Sequence, residues 1–353
     1  MNSLPAKRSA LSQVVIMATA GVSILWSTAT ANSARANPQP TLISQGKSTQ
    51  LTLVSYAVTK AAYQKIIPLF VADWQKKTGE TVTFKTSYAG SGSQTRAVID
   101  GLPADIVNLS LAGDVKKIEQ AGLIRSGWEK KVPNNGIVTH SVVAIETRNG
   151  NPKGIKTWAD LAKPGISIIT ANPKTSGVAR WNFAALWGSV TQNGGNEAKA
   201  SQFVSSVFKN VSILAKDARE ASDIFYKKGQ GDVLLNYENE LILASKQGST
   251  DSSYLVPSVN LSIDAPVAVV DSNVDKHGTR KVAEAFAKFL FTPQAQQEFA
   301  KTGFRPVNSS VAGVANFPKI AKLYTIGSLG GWDAVDRKFF ADGGVFDKIY
   351  ANR

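Results

Sequence analysis

The sequence predicts an α/β fold of two lobes, and three observations carry that prediction. From residue 50 onward short β-type runs alternate with helical patterns, as expected for helices packed on a largely parallel sheet. An N-terminal export segment, residues 1–36, leaves 353 − 36 = 317 residues, enough for two domains of ordinary size. No linker rich in Pro, Gly or Ser separates the halves. The lobes should therefore be joined by two crossing strands, near 137–145 and 261–269, and be discontinuous. Residues 47–138 with 263–330 are expected to form one lobe and 139–262 the other, with 331–353 as helices packing back on them.

In chain order, Lys7 and Arg8 precede an apolar run over 14–26 and then Ala34-Arg35-Ala36. That order is an export signal cleaved after Ala36, too short for a spanning helix of roughly 20 residues. No later run is longer, and there is no cysteine for lipid attachment, disulfides or thiolate chemistry. The product is expected to be soluble, monomeric and periplasmic. A strand at 51–55 leads into a helix at 60–77, with Tyr63, Ile67, Phe70 and Trp74 on its buried face and Gly79 as its stop. Pro68 should kink that helix at a cost of about 3 kcal/mol. Strands follow at 81–87, 105–109, 142–147, 166–170, 211–214, 233–236 and 266–270. Helices are expected at 176–188, 197–209 and 279–291.

The net charge of +14 falls to +11 once Lys7, Arg8 and Arg35 are removed. The cations are scattered, which suits general steering of anions rather than nucleic-acid binding. No P-loop occurs, so the chain does not itself spend ATP. His140 and His277 are the two histidines, and neither lies in a catalytic or metal-binding motif. Glu238 and Glu240 stand where an acid and base pair could, but read better as solvated charges at a helix start. Trp181, Phe183 and Trp187 read as core. No catalytic residue, metal or cofactor is expected.

Three segments place small, donor-rich residues where a strand gives way to a helix: Tyr88-Ala89-Gly90-Ser91-Gly92-Ser93, Asn172-Pro173-Lys174-Thr175-Ser176-Gly177 and Lys216-Asp217-Ala218-Arg219. Helix N-termini beyond strand ends offer unpaired N–H groups and a partial positive charge to an anion. Each segment alone is also an ordinary cap or turn.

At these segments, and at Ala179-Arg180-Trp181-Asn182, Gly231-Asp232-Val233, Glu238-Asn239-Glu240 and Gly330-Gly331-Trp332, the chain resembles the sulfate-binding proteins of bacterial ATP-driven sulfate and thiosulfate importers. The resemblance runs from Leu53 to Asp347. It implies the type II periplasmic solute-binding fold, each lobe a mixed, mainly parallel sheet flanked by helices, and transient docking on a membrane permease. It also implies a dehydrated dianion held by neutral donors: the hydroxyl and amide of Ser91, the hydroxyl of Ser176, the amides of Gly177, Val178, Ala218 and Ala57, and a side-chain donor at Tyr237. Arg180 and Arg219 would then lie behind those contacts, polarising peptide groups.

Such a site offsets lost hydration with several preorganised hydrogen bonds of about 1.5–3 kcal/mol each. A site of donors alone rejects an oxyanion that carries a proton, a mismatch that can cost on the order of 10⁴ in affinity. Three positions depart from the family pattern: Ala57 for aspartate, Val178 for glycine and Tyr237 for tryptophan. A phenol can accept as well as donate, so Tyr237 should reject protonated oxyanions less strictly than an indole. The remaining alternatives are a receptor for molybdate or phosphate, and an exported hydrolase of sulfate or phosphate esters.

Overall fold

The computed structural model describes residues 48–249, 254–311 and 317–352. The export segment at 1–36 and the lobe start at 47 lie outside the described residues. The first half alternates as the sequence indicates: β1 (Ser48–Tyr56), α1 (Lys60–Thr78), β2 (Thr81–Ala89), α2 (Ser91–Ile99), β3 (Ile106–Asn108), α3 (Ala112–Gln120), β4 (Ile137–Ser141), β5 (Val143–Thr147), β6 (Ile168–Ala171) and α4 (Gly177–Thr191). Then come α5 (Glu197–Lys209), β7 (Val211–Ala215), α6 (Ala218–Tyr226), β8 (Val233–Tyr237) and α7 (Glu238–Lys246). The last part holds β9 (Val259–Leu261), β10 (Ile263–Val269), α8 (Asp271–His277), α9 (Arg280–Phe289), α10 (Pro293–Lys301), β11 (Arg305–Pro306), β12 (Lys322–Tyr324), α11 (Gly331–Val335) and α12 (Val345–Ala351).

In α1 the buried face carries Tyr63, Ile66, Phe70 and Trp74; Ile66 takes the place expected for Ile67, which is only half-buried. The helix is continuous through Pro68, which sits on the exposed side. Gly79 ends it at φ 73°, a left-handed conformation that glycine adopts without a steric penalty. Phe286 of α9 meets Phe70 at 5.0 Å and Phe84 of β2 at 4.8 Å between ring centres, locking α1 and α9 to one sheet.

That sheet has six strands in the order β11-β4-β10-β3-β1-β2, and a second has four in the order β5-β8-β6-β7. Strands β1, β2 and β3 run parallel, as do β6, β7 and β8. The antiparallel pairs in these sheets all involve β4, β5, β10 or β11. One residue, Val142, separates β4 in the first sheet from β5 in the second. The return begins at Leu255, which pairs with Ile145 of β5, and passes through β9, itself paired with β12, into β10 of the first sheet. In the six-stranded sheet the parallel strands β3, β1 and β2 thus form one half and the antiparallel β10, β4 and β11 the other, whereas in the four-stranded sheet β8, β6 and β7 are parallel and β5 runs antiparallel at one edge.

The C-terminal segment is pinned by aromatic contacts. Trp332 of α11 meets Trp181 of α4 edge-on at 4.5 Å, while Phe183 of α4 packs against Phe339, Phe340 and Phe346. Lys117 of α3 pairs with Asp336 at 2.6 Å and Lys116 pairs with Asp333, so this segment also holds α3. Phe183→Ala should cost about 3–5 kcal/mol of stability in urea denaturation and expose 331–352 to limited proteolysis. Unchanged protease resistance of that segment would contradict its dependence on Phe183.

Candidate functional site

The three donor-rich junctions meet at Thr175. Its carbonyl oxygen accepts from the Ser93 amide at 3.2 Å, and its hydroxyl donates to the Lys216 carbonyl at 2.7 Å. A methyl group built on Gly90 would lie 2.4 Å from that same Thr175 oxygen, and one on Gly177 would lie 2.4 Å from the Ser110 hydroxyl. Glycine is required at both places for one loop to approach the other, a role additional to admitting an anion. The Asn172 carbonyl accepts from the amides of Thr175 and Ser176, which folds this loop into the start of α4.

Around that meeting point Ser91 is the first residue of α2, Ser176 the N-cap of α4, Gly177 and Val178 its first two residues, and Ala218 the first residue of α6. The first N–H groups of a helix have no partner within it and carry the positive end of the dipole. Val178 is not among the described non-glycine residues with positive φ, so valine fits the helical start that it occupies. All five residues are buried. Ala57 is half-buried and follows Tyr56, whose ring meets Tyr237 edge-on at 6.0 Å. Asn236 ties Ala218 to Tyr237: its side-chain amide donates to the Ala218 carbonyl at 2.9 Å, and its side-chain oxygen accepts from the Tyr237 amide at 2.8 Å.

The sequence reading missed two residues at the centre of this cluster. Asp114, in the first turn of α3, is completely buried; it accepts from the Ser91 hydroxyl at 2.6 Å and pairs with Arg180 of α4 at 2.6 Å. Arg180 also donates to the Pro173 carbonyl at 3.0 Å, so its charge is compensated and its position fixed. An acidic residue in the first turn of a helix is ordinarily a solvated dipole partner, and the sequence carries no other sign that Asp114 is buried. Ser110 follows β3; its amide donates to the Ser91 hydroxyl oxygen at 3.0 Å, and its own hydroxyl is 2.5 Å from that of Tyr237. Ser91 thus already directs its proton to Asp114. An anion arriving there must take over that proton or bind the helix amides.

Glu238 and Glu240 are not solvated, contrary to the sequence-based expectation. Arg305 of β11 grips Glu238 through two bonds, 2.6 and 2.9 Å, linking the two sheets. Glu240 accepts from Arg219 at 2.8 Å and from Ser222 at 3.3 Å. Arg219 is half-exposed and lines, with Ala57, Lys60, Tyr226 and Lys227, a cavity of about 370 Å³ next to the start of α6. His140 pairs with Asp264 at 2.6 Å and His277 with Asp105 at 2.8 Å. Among the described residues no group of three or more His, Cys, Asp or Glu could hold a metal ion.

Burial pushes the Glu240 carboxyl up to about 6, with Arg219 opposing the shift. The folded protein therefore keeps this proton at pH values where the unfolded chain, with an ordinary value near 4.5, has lost it. The resulting stabilisation is fully present below about 4.5 and is lost as pH rises through about 6. The stability of the unaltered protein relative to Glu240→Gln should fall by roughly 2 kcal/mol between pH 4.5 and 7 and stay level above that. A difference independent of pH in denaturant titrations would contradict the shift.

A family model described as bacterial extracellular solute-binding protein matches residues 51–305. The chain is 60% identical over 316 residues to a sulfate-binding protein of Synechococcus elongatus, covering 89% of this chain and 90% of that one. It is 38% identical to a thiosulfate-binding protein of Pseudomonas aeruginosa, covering 84% and 91%. The solved structure of the sulfate-binding protein SubI from Mycobacterium tuberculosis superposes with a TM-score of 0.75 at 39% identity, covering 83% of this chain and 99% of that one. By these matches the chain belongs to the bacterial extracellular solute-binding protein family, with the two-lobed type II fold.

Proposed function

We propose that this protein is the periplasmic substrate-binding component of an ABC importer, taking up sulfate and, as a second ligand, thiosulfate. The observation that carries this reading is the convergence of three helix N-termini, beginning at Ser91, Gly177 and Ala218, on one buried cluster. The ligand is bound between lobes 47–138 with 263–330 and 139–262 by Ser91, Ser176, Gly177, Val178, Ala218, Ala57 and Tyr237. It is delivered unchanged to a membrane permease on which the monomer docks transiently. Relatives named as sulfate- and thiosulfate-binding proteins, rather than enzymes, support the same class of activity.

Sulfate is favoured over phosphate by where the nearby carboxylate points. A hydrogen phosphate ligand needs an acceptor for its proton, and Asp114 is the carboxylate closest to the Ser91 hydroxyl. One oxygen of Asp114 already accepts from Ser91 and the other from Arg180. Arg219 is likewise engaged by Glu240. The two arginines therefore polarise the surrounding peptide groups while the anion faces neutral donors, whose combined hydrogen bonds offset its desolvation.

Calorimetric titration of the purified mature chain, stripped of ligand, should give one-to-one binding of sulfate and thiosulfate and much weaker binding of molybdate and phosphate. Ser176→Ala should weaken sulfate by roughly 10- to 100-fold, the value of one hydrogen bond to a charged group. Preference for phosphate or molybdate would assign the site to another oxyanion, and turnover of an aryl sulfate would contradict a pure binding role.

A further inference from the structure

Ser110 was not singled out by the sequence, yet its hydroxyl lies where the two sheets meet. The oxygen is 2.5 Å from the Tyr237 hydroxyl, accepts from the Trp181 indole at 3.1 Å, and lies close enough to Gly177 to exclude any side chain there. Ser110 follows β3 of the six-stranded sheet, and Tyr237 ends β8 of the four-stranded one. Both are fully buried, and burial holds the phenol well above its ordinary range, so it keeps its proton.

Two hydroxyls carry two protons, and the bond between them uses one. The indole of Trp181 can only donate, so it occupies a lone pair and takes no proton. One proton therefore remains available, and the direction of the Ser110–Tyr237 bond decides which oxygen presents it. When Ser110 donates to Tyr237, the phenol proton is free for an anion oxygen, as an indole proton would be. When Tyr237 donates to Ser110, the phenol presents a lone pair and the serine supplies the free proton. Reversal needs only rotation of two O–H bonds, with no proton transferred.

We propose that Ser110 determines which protonation states of the ligand are accepted: by giving the Tyr237 proton a second destination, it lets the phenol accept a ligand proton. The site then takes monoprotonated tetrahedral oxyanions, with hydrogen phosphate as the probe, alongside fully ionised ones at a smaller discrimination than donors alone impose. Removing the serine oxygen leaves the phenol proton no partner but the ligand, because among the described residues Ser110 is its hydrogen-bond partner. The phenol then acts as an obligatory donor. This proposal rests on the anion-binding reading given under Proposed function.

The test is calorimetric titration at pH 8, where phosphate is mainly its monoprotonated dianion, using sulfate, selenate and phosphate. Ser110→Ala should raise the ratio of phosphate to sulfate dissociation constants by about tenfold or more, one net hydrogen bond, and leave the selenate to sulfate ratio unchanged. Tyr237→Trp should raise the phosphate ratio similarly, and the double variant should add nothing further, since both act on one bond. Tyr237→Trp also keeps the test available should Ser110→Ala fail to fold. A phosphate ratio unchanged within twofold while sulfate still binds overturns the role of Ser110 and leaves the site reading intact. No measurable phosphate binding by the unaltered protein overturns it equally. Absence of sulfate binding in the unaltered protein removes the underlying reading of the site.

Discussion

The buried ion pair between Asp114 and Arg180 sets the geometry on which the candidate site depends. Asp114 reaches from α3 beside the six-stranded sheet, and Arg180 from α4 beside the four-stranded one. Through Ser91 the carboxylate holds the start of α2, and through the Pro173 carbonyl the guanidinium holds the loop before α4. One charge pair thus fixes the spacing between two helix N-termini. Buried charges are costly to desolvate, and removing either partner alone costs about 3–5 kcal/mol, so the pair acts as a rigid unit. A second ion pair, Glu238 with Arg305, also joins the sheets.

Charge near this cluster is therefore used structurally, in ion pairs that hold helix starts and strands in place. Three helix starts contribute oriented N–H groups, and Ser91, Ser110, Ser176 and Tyr237 contribute hydroxyls. Under the proposed function the backbone amides need little reorganisation when an anion arrives, because Gly90, Gly177 and the Asn172 turn already hold them in place, whereas the Ser91 hydroxyl must first turn from Asp114. The exposed Lys60 and Lys227 and the half-exposed Arg219 line an adjoining cavity, where they attract anions without sitting in the buried cluster.

The alternation of strands and helices was legible in the sequence because it depends on local periodicity, and α5 falls on the residues that its pattern marks out. The three strand-to-helix junctions were legible for the same reason: glycine, serine and cap residues announce a turn into a helix. Helical phase was read one residue out in α1, where Ile66 rather than Ile67 faces the core. Partners far apart in sequence were not legible at all. Asp114 lies in the first turn of a helix, where a solvated carboxylate is ordinary, and only Arg180, 66 residues on, marks it out; Ser110 carries no signal of its own until Tyr237 arrives 127 residues later. Glu238 and Glu240 misled for the same reason, since Arg305 and Arg219 come from other elements.

Under the proposed function, uncharged donors of the buried cluster, and not the arginines, hold the anion. Anomalous diffraction at the selenium edge from crystals of the protein grown with selenate tests it directly. One selenium peak is expected, placed so that the selenate oxygens accept hydrogen bonds from the amides of Ser91, Gly177 and Ala218, with the Asp114–Arg180 and Arg219–Glu240 pairs intact. A peak in the cavity beside Lys60, bonded to an Arg219 guanidinium released from Glu240, would contradict it.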